Sequence, residues 1–253
     1  MVSIIYSGQL GNNLFQYIAA YLFAKKFNFQ IISKIVENKF LLPSIKSYNN
    51  NNLNKVIYVD DKNFMTLLES ETLELAHYVF TGYYQLKDFI LNYKDEIKSL
   101  FTLNIIPQSL DSVFVSYRLG DIDGLRQALP IEYYEKALEL TKYNSGFITT
   151  DSPNHNNIKY LIDKYGLTLY QNSPLETIDF GKNFNNLILS EGSFSWWIGF
   201  LSSADNVYFN KRPRFWHGDM FVIPEWNCLK YDWASECIGN NNILKCDKVI
   251  FTN

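Results

Sequence analysis

The chain has 253 residues, 47% of them apolar, and a formal net charge of −3. That length suits one large domain or two small ones, and that apolar content excludes a globally disordered chain. The acidic balance excludes a nucleic-acid footprint spread over the whole surface, though not a local basic patch. The cysteines Cys228, Cys237 and Cys246 are evenly spaced but match no zinc pattern, and their odd number closes no disulfide set. They read as free thiols in a reducing compartment, so a cytoplasmic location is expected. The opening MVSIIYSG has no charged n-region and no long apolar segment. Neither a signal peptide nor a transmembrane segment is expected; peripheral membrane contact and oligomeric state stay open.

Val2 to Tyr6 is apolar and β-rich, a buried first strand. A glycine loop, Ser7 to Asn13, precedes a long apolar run, Leu14 to Phe27. Strand, loop and helix in this order suit phosphate approach at the helix N-terminus, although many βα units carry two glycines without a ligand. Gln30 to Ser33 and Lys55 to Val59 read as further strands, and Asn49 to Asn54 is a low-complexity loop. Tyr78 to Phe80 leads into Thr81-Gly82-Tyr83-Tyr84-Gln85. An aromatic beside a glutamine can stack on a sugar ring and bond its hydroxyls; equally, such aromatics can cover a sheet edge. A helix is predicted over Lys87 to Leu100, and Pro107 lies in an interdomain connection.

In DSVFVSYRLGD, Val113 to Val115 form a strand and Arg118 arrives at its carboxyl end. A guanidinium there can hold a phosphate through paired, charge-assisted bonds, or pair at the surface with Asp121 or Asp123. Pro130 opens the next helix. A strand at Gly146 to Thr150, a helix at Asn156 to Tyr165 and a short strand at Leu167 to Tyr170 follow. Leu187 to Leu189 then reads as a buried strand, Ser190 to Ser193 as a turn and Phe194 to Leu201 as a buried helix. In a parallel sheet that turn lies where ligands bind. Gly192 and Ser193 would face N–H groups and a hydroxyl toward an anion; the alternative is an ordinary turn with Trp196 and Trp197 as core. The whole succession indicates an α/β fold with a parallel sheet.

SEGSFSWWIGFL, Ser190 to Leu201, resembles the S-N-S-T-F-S-W-W-x-x-x-L signature of the bacterial-type α-1,2-fucosyltransferases, glycosyltransferase family 11. Gly192 replaces the usual Ser and Ser193 the usual Thr. Gly8, Leu10, Gly11, Asn12, Phe15, Gln16 and Tyr17 match the family's G-x-L-G-N-Q-x-F-Q-Y, with Asn13 in place of Gln. Gly82 to Gln85 is similar to G-Y-W-Q, with Tyr84 for Trp. Of H-x-R-R-G-D, Arg118, Gly120 and Asp121 match, while Ser116 replaces the His and Leu119 the second Arg. Leu129 to Tyr134 looks like L-P-x-x-Y-Y, and Asp151 is kept from the acidic pair of F-S-D-D. Trp216 and Pro224-Glu225-Trp226 resemble the closing W and P-x-x-W. The likeness spans most of the chain as islands of identity. Animal members of the family carry a membrane anchor; this chain is similar to the soluble, bacterial kind.

The resemblance implies a GT-B arrangement, two facing Rossmann-like domains with parallel sheets. The N-terminal domain, 1–107, would take the acceptor side and 108–235 the nucleotide sugar, leaving 236–253 as a tail of unassigned attachment. The implied catalytic residues are Arg118 and Asp121, with Asp121 bracing the loop rather than serving as base. Donor-binding residues would be Gly11, Asn12, Arg118, Ser193, Phe194 and Ser195, and acceptor-side residues Tyr84 and Gln85. No metal and no cofactor are expected. The partners are a GDP-sugar donor and a glycan acceptor, with no nucleic acid. The implied reaction is inverting transfer of fucose or a related 6-deoxyhexose to a glycan hydroxyl, galactose O2 in the family.

Two rivals stand beside it. Asp121-Ile122-Asp123 is a D-x-D, which in metal-dependent transferases holds Mn²⁺ or Mg²⁺ against a diphosphate. The altered H-x-R-R-G-D motif also fits a non-catalytic binding protein on the same scaffold. Lys211-Arg212-Pro213-Arg214 would supply replacement charge or form a solvated basic loop.

Overall fold

The computed structural model describes residues 1–33, 55–101, 106, 111–120, 128–210, 220–231 and 249–251. The chain divides into two compact units: Met1–Leu103 with Arg214–Val222, and Asn104–Pro213 with Ile223–Asn253.

The first unit is built on a parallel sheet of β1 (Val2–Ile4), β3 (His77–Phe80) and β2 (Val56–Val59), in that order. The strand expected at Gln30 to Ser33 is reduced to a single parallel bridge from Ile31 to Val2. Helix α1 (Leu10–Phe27) is apolar on most of its circumference, so it buries most of it. Phe23 sits 5.1 Å from the Tyr78 ring and 5.3 Å from that of Phe80, which docks α1 on β3. Fully burying such a side chain stabilises by roughly 1.5–3 kcal/mol. Asn28 ends α1 in the left-handed region at φ 54°, and the Phe29 N–H returns to the Ala24 carbonyl at 2.8 Å. A short helix, α2 (Phe64–Glu69), follows β2. The single helix expected over Lys87 to Leu100 is two, α3 (Lys87–Asn92) and α4 (Lys94–Ser99). Tyr93 leaves helical geometry between them, with its ring against Phe89.

The second unit carries a seven-stranded sheet. Its strands are β4 (Ser112–Tyr117), β5 (Ser145–Thr150), β6 (Leu167–Leu169), β7 (Asn186–Ile188), β8 (Asn206–Phe209), β9 (Asn227–Tyr231) and β10 (Val249–Phe251). Their order is β10-β9-β8-β7-β4-β5-β6, parallel throughout except for β10 on β9. The expected tail thus ends as an antiparallel edge strand. The chain runs outward from β4 through β5 to β6, then returns to the other side of β4 and runs through β7 to β9. That order is compatible with a Rossmann-like fold, and its reversal falls between β4 and β7.

Helices α5 (Ile131–Leu140) and α6 (Asn156–Tyr165) supply Tyr133, Tyr134, Ala137, Leu138, Ile158 and Leu161 to one core, with Val113, Val115 and Tyr117 from β4. The other face of β4 presents Phe114, ringed by Tyr170, Phe180 and Phe184. Phe180 comes from α7 (Pro174–Gly181), a helix the sequence reading passed over. Helix α8 (Ser193–Leu201) is almost wholly buried, Trp196 and Trp197 completely so. Gly199 allows its close fit: a Cβ there would lie 2.8 Å from Leu189 and 3.0 Å from the Trp226 ring. Among the described residues no helix is long and apolar enough to cross a membrane.

Candidate functional site

In the second unit the two most distinctive stretches of the sequence meet at one end of the sheet. Arg118 directly follows β4, and Leu189 to Gly192 join β7 to α8. β4 and β7 are neighbours, and the crevice at the carboxyl ends of strands flanking a reversal is where open α/β sheets bind ligands.

Each piece of this end is tied down. The Ser116 and Ser190 hydroxyls, both buried, lie 3.4 Å apart across β4 and β7. The Tyr133 hydroxyl donates to the Leu189 carbonyl at 2.8 Å, and that of Tyr117 to the Leu129 carbonyl at 3.1 Å. Tyr117 stacks on Tyr134 with ring centroids 3.8 Å apart. Leu119 points inward and belongs to the α5–α6 core, 2% exposed. A guanidinium at this position would be buried among apolar side chains. Arg118 is half-buried between two anchored neighbours.

Gly192 begins α8 at φ +108°, a region that favours glycine. A Cβ on it would lie 2.9 Å from Arg118 Nη1, so the guanidinium occupies the space a side chain would need. Helix α8 has no side-chain cap and no acidic residue in its first turn. Its first intrahelical bond runs from Trp196 N to Gly192 O at 3.1 Å. The partial positive charge of a helix N-terminus favours anions, and the Arg118 cation adds to it. Ser195, in the same turn, is 1% exposed and its hydroxyl has no hydrogen-bond partner. Ser193 and Phe194, half-buried, complete the turn. Glu191, 5% exposed, places a carboxylate just before it. Burial, with neighbouring phenols and the carboxylates of Glu191 and Asp151, holds the Tyr134 phenol far above its ordinary pKa, so it stays protonated.

Asp151, at the end of β5, is a residue whose role sequence reasoning missed. Its Oδ1 accepts the backbone N–H groups of Leu119 at 2.8 Å and Gly120 at 2.9 Å. Asp151 thus braces the arginine loop; Asp121, expected to brace it, lies outside the described residues. So do Asp123 and Lys211 to Arg214. Among the described residues no group of His, Cys, Asp and Glu could hold a metal ion.

The first unit gathers the remaining predicted residues at the carboxyl ends of β1 and β3. Asn12 Oδ1 accepts from Gln85 Nε2 at 2.8 Å, so these two are joined. Gly8 turns at φ +77°, and a Cβ there would collide with the Asn12 carboxamide. Gly11 is buried in the first turn of α1. Gln16, wholly buried, accepts from Ser7 N at 3.2 Å and donates to the Gly82 carbonyl at 3.1 Å, binding the two loops together.

Tyr84, expected to offer its ring to a sugar, is instead fully buried. Its hydroxyl donates to the Val59 carbonyl at 2.7 Å and accepts from Gly82 N at 3.0 Å, while its ring packs on Phe64 and Phe80. The cause is a positive φ of 57°, which swings the side chain into the core; Asp61 stabilises the turn by accepting the Tyr83 and Tyr84 N–H groups. The half-buried aromatic of this loop is Tyr83, hydrogen-bonded to Ser7 Oγ at 2.9 Å.

No protein-family model matches the chain, and no curated protein matches it.

Proposed function

We propose that the chain is an inverting, metal-independent glycosyltransferase. It moves fucose or a related 6-deoxyhexose from a GDP-sugar to a glycan hydroxyl, galactose O2 by its resemblance to family 11, within a GT-B arrangement of the two units. The observation that carries the reading is the meeting of Arg118 with the Gly192 turn at the strand-order reversal. An arginine, a helix N-terminus and the unpartnered hydroxyl of Ser195 suit a diphosphate.

In this reaction the acceptor oxygen attacks the anomeric carbon while the diphosphate leaves from the opposite face. Negative charge grows on the leaving phosphate. Arg118 and the first-turn N–H groups of α8 meet it with donors already held in place by Tyr133, Leu119 and Asp151. Removal of one such donor costs on the order of 10²–10³ in rate. Arg118→Ala should therefore lose most turnover with the fold intact; turnover within a few-fold of wild type would remove Arg118 from the mechanism.

The first test is the melting temperature with GDP, UDP, CDP, dTDP and ADP, each in EDTA. A ligand at a hundred times its Kd adds about 2.7 kcal/mol of stability. A shift with GDP alone supports the reading. A shift with another nucleotide keeps a transferase and discards fucose. A shift that needs Mn²⁺ supports the D-x-D rival.

A second reading, a binding protein without turnover, is favoured by one observation. Two donors of the family motif are absent, and their positions, Ser116 and Leu119, are buried in the sheet end and the core. GDP binding with no release of sugar from any GDP-sugar would support it over the enzyme.

A further inference from the structure

The carboxylate of Asp151 lies flat against the loop that carries Arg118. Besides accepting the Leu119 and Gly120 N–H groups, it fills the space above Gly120: a Cβ there would lie 2.6 Å from Oδ2 and 2.9 Å from the carboxylate carbon. Asp151 comes from the strand on the far side of β4 from β7. Arg118 is thus bracketed by Tyr117, stacked on Tyr134, and by two N–H groups held from β5. On its other side its guanidinium rests against Gly192 from β7. Asp151 itself is exposed, so its truncation opens no cavity in the core.

We propose that Asp151 is the positioning residue for Arg118: it fixes the backbone beyond the arginine, which aims the guanidinium at the start of α8. This rests on the proposed reading only where the aimed guanidinium is said to serve a nucleotide diphosphate. Gly120 belongs to the device, because only a residue without Cβ lets the carboxylate approach both N–H groups. The reach of Arg118 depends on a residue 33 positions away in sequence, from a different strand.

The test is a binding cycle in EDTA with GDP as probe, on wild type, Arg118→Ala, Asp151→Ala, Asp151→Asn and the Arg118→Ala/Asp151→Ala double variant. Asp151→Ala should weaken GDP on the order of tenfold, a size typical of coupled neighbours. The double variant should bind no more weakly than Arg118→Ala, since no arginine remains to be aimed. Asp151→Asn should recover part of the loss, because a carboxamide oxygen can accept the same two N–H groups. Wild-type affinity in Asp151→Ala, or a double loss equal to the product of the single losses, overturns the proposal.

If wild type does not bind GDP, or Arg118→Ala binds it as wild type does, the nucleotide reading falls. The link between the residues is then judged by labelling with phenylglyoxal, followed as the mass of the Arg118 peptide. A several-fold change in labelling rate in Asp151→Ala, at an unchanged melting temperature, upholds the positioning role. An unchanged rate overturns it.

Discussion

Arg118 and Gly192 fit against each other: the guanidinium nitrogen Nη1 lies where it would stand 2.9 Å from a Cβ on residue 192. One residue directly follows the central strand β4 and the other begins the helix after β7, so the contact records the point where strand order reverses. With no Cβ at residue 192, the Arg118 guanidinium has room against the helix start.

Gly192→Ala should therefore act twice. The left-handed backbone at φ +108° opposes any side chain, at a cost of about 1–3 kcal/mol. The new methyl group would also push the guanidinium away. A lower melting temperature together with weaker GDP binding is expected. A variant that melts lower but binds GDP unchanged would separate the turn from the binding of phosphate.

Two adjacent tyrosines should respond in opposite ways to loss of a hydroxyl. Tyr133 donates to the Leu189 carbonyl inside the core, so Tyr133→Phe leaves a buried acceptor unpaired, at about 1–3 kcal/mol. The Tyr134 hydroxyl is buried without a partner, and its ring alone stacks on Tyr117. Tyr134→Phe should leave stability unchanged or raise it. Urea unfolding of both variants gives the comparison, and equal losses would contradict it.

What the sequence conveyed depended on how local each signal was. Helix α6 was legible over its whole length because its stop, Gly166 at φ +64°, directly follows the last helical residue. Helix α7 had a start signal as clear: Ser173, Pro174 and Glu176 form a capping box. It was passed over because its eight residues hold too few apolar positions to show a period. Adjacent tyrosines carry no mark of which one turns inward, so the burial of Tyr84 follows from its turn rather than from its neighbours in sequence. The roles of Asp151 and Gly192 rest on contacts between strands whose spatial order no periodicity encodes. The residues of the Arg118 site were thus visible one by one, while their meeting followed from topology.

His77 makes stability depend on pH. Burial lowers its pKa from the ordinary 6.5, and Ser3 Oγ lies 2.8 Å from its Nε2. The folded chain then binds this proton less readily than the unfolded one. Its contribution to stability is complete above pH 6.5 and falls as pH drops below that value toward the lowered folded pKa. Melting temperature measured across this window should decline more steeply toward acid in wild type than in His77→Gln. Parallel declines would remove His77 as a cause.

The Tyr83–Tyr84 pair gives the last comparison. The Tyr84 hydroxyl bridges Gly82 N and Val59 O inside the core, so Tyr84→Phe strands the Gly82 N–H, while Val59 O keeps the Thr81 N–H at 2.9 Å. A loss of about 1–3 kcal/mol is expected, read as a lower urea midpoint. The Tyr83 hydroxyl meets Ser7 Oγ at the surface, so Tyr83→Phe should stay within about 0.5 kcal/mol of wild type. If Tyr84 instead served a sugar, Tyr84→Phe would leave the midpoint in place and change only glycan affinity. A midpoint that falls in Tyr84→Phe and holds in Tyr83→Phe assigns the first ring to the fold and leaves the second as the aromatic of this loop within reach of a ligand.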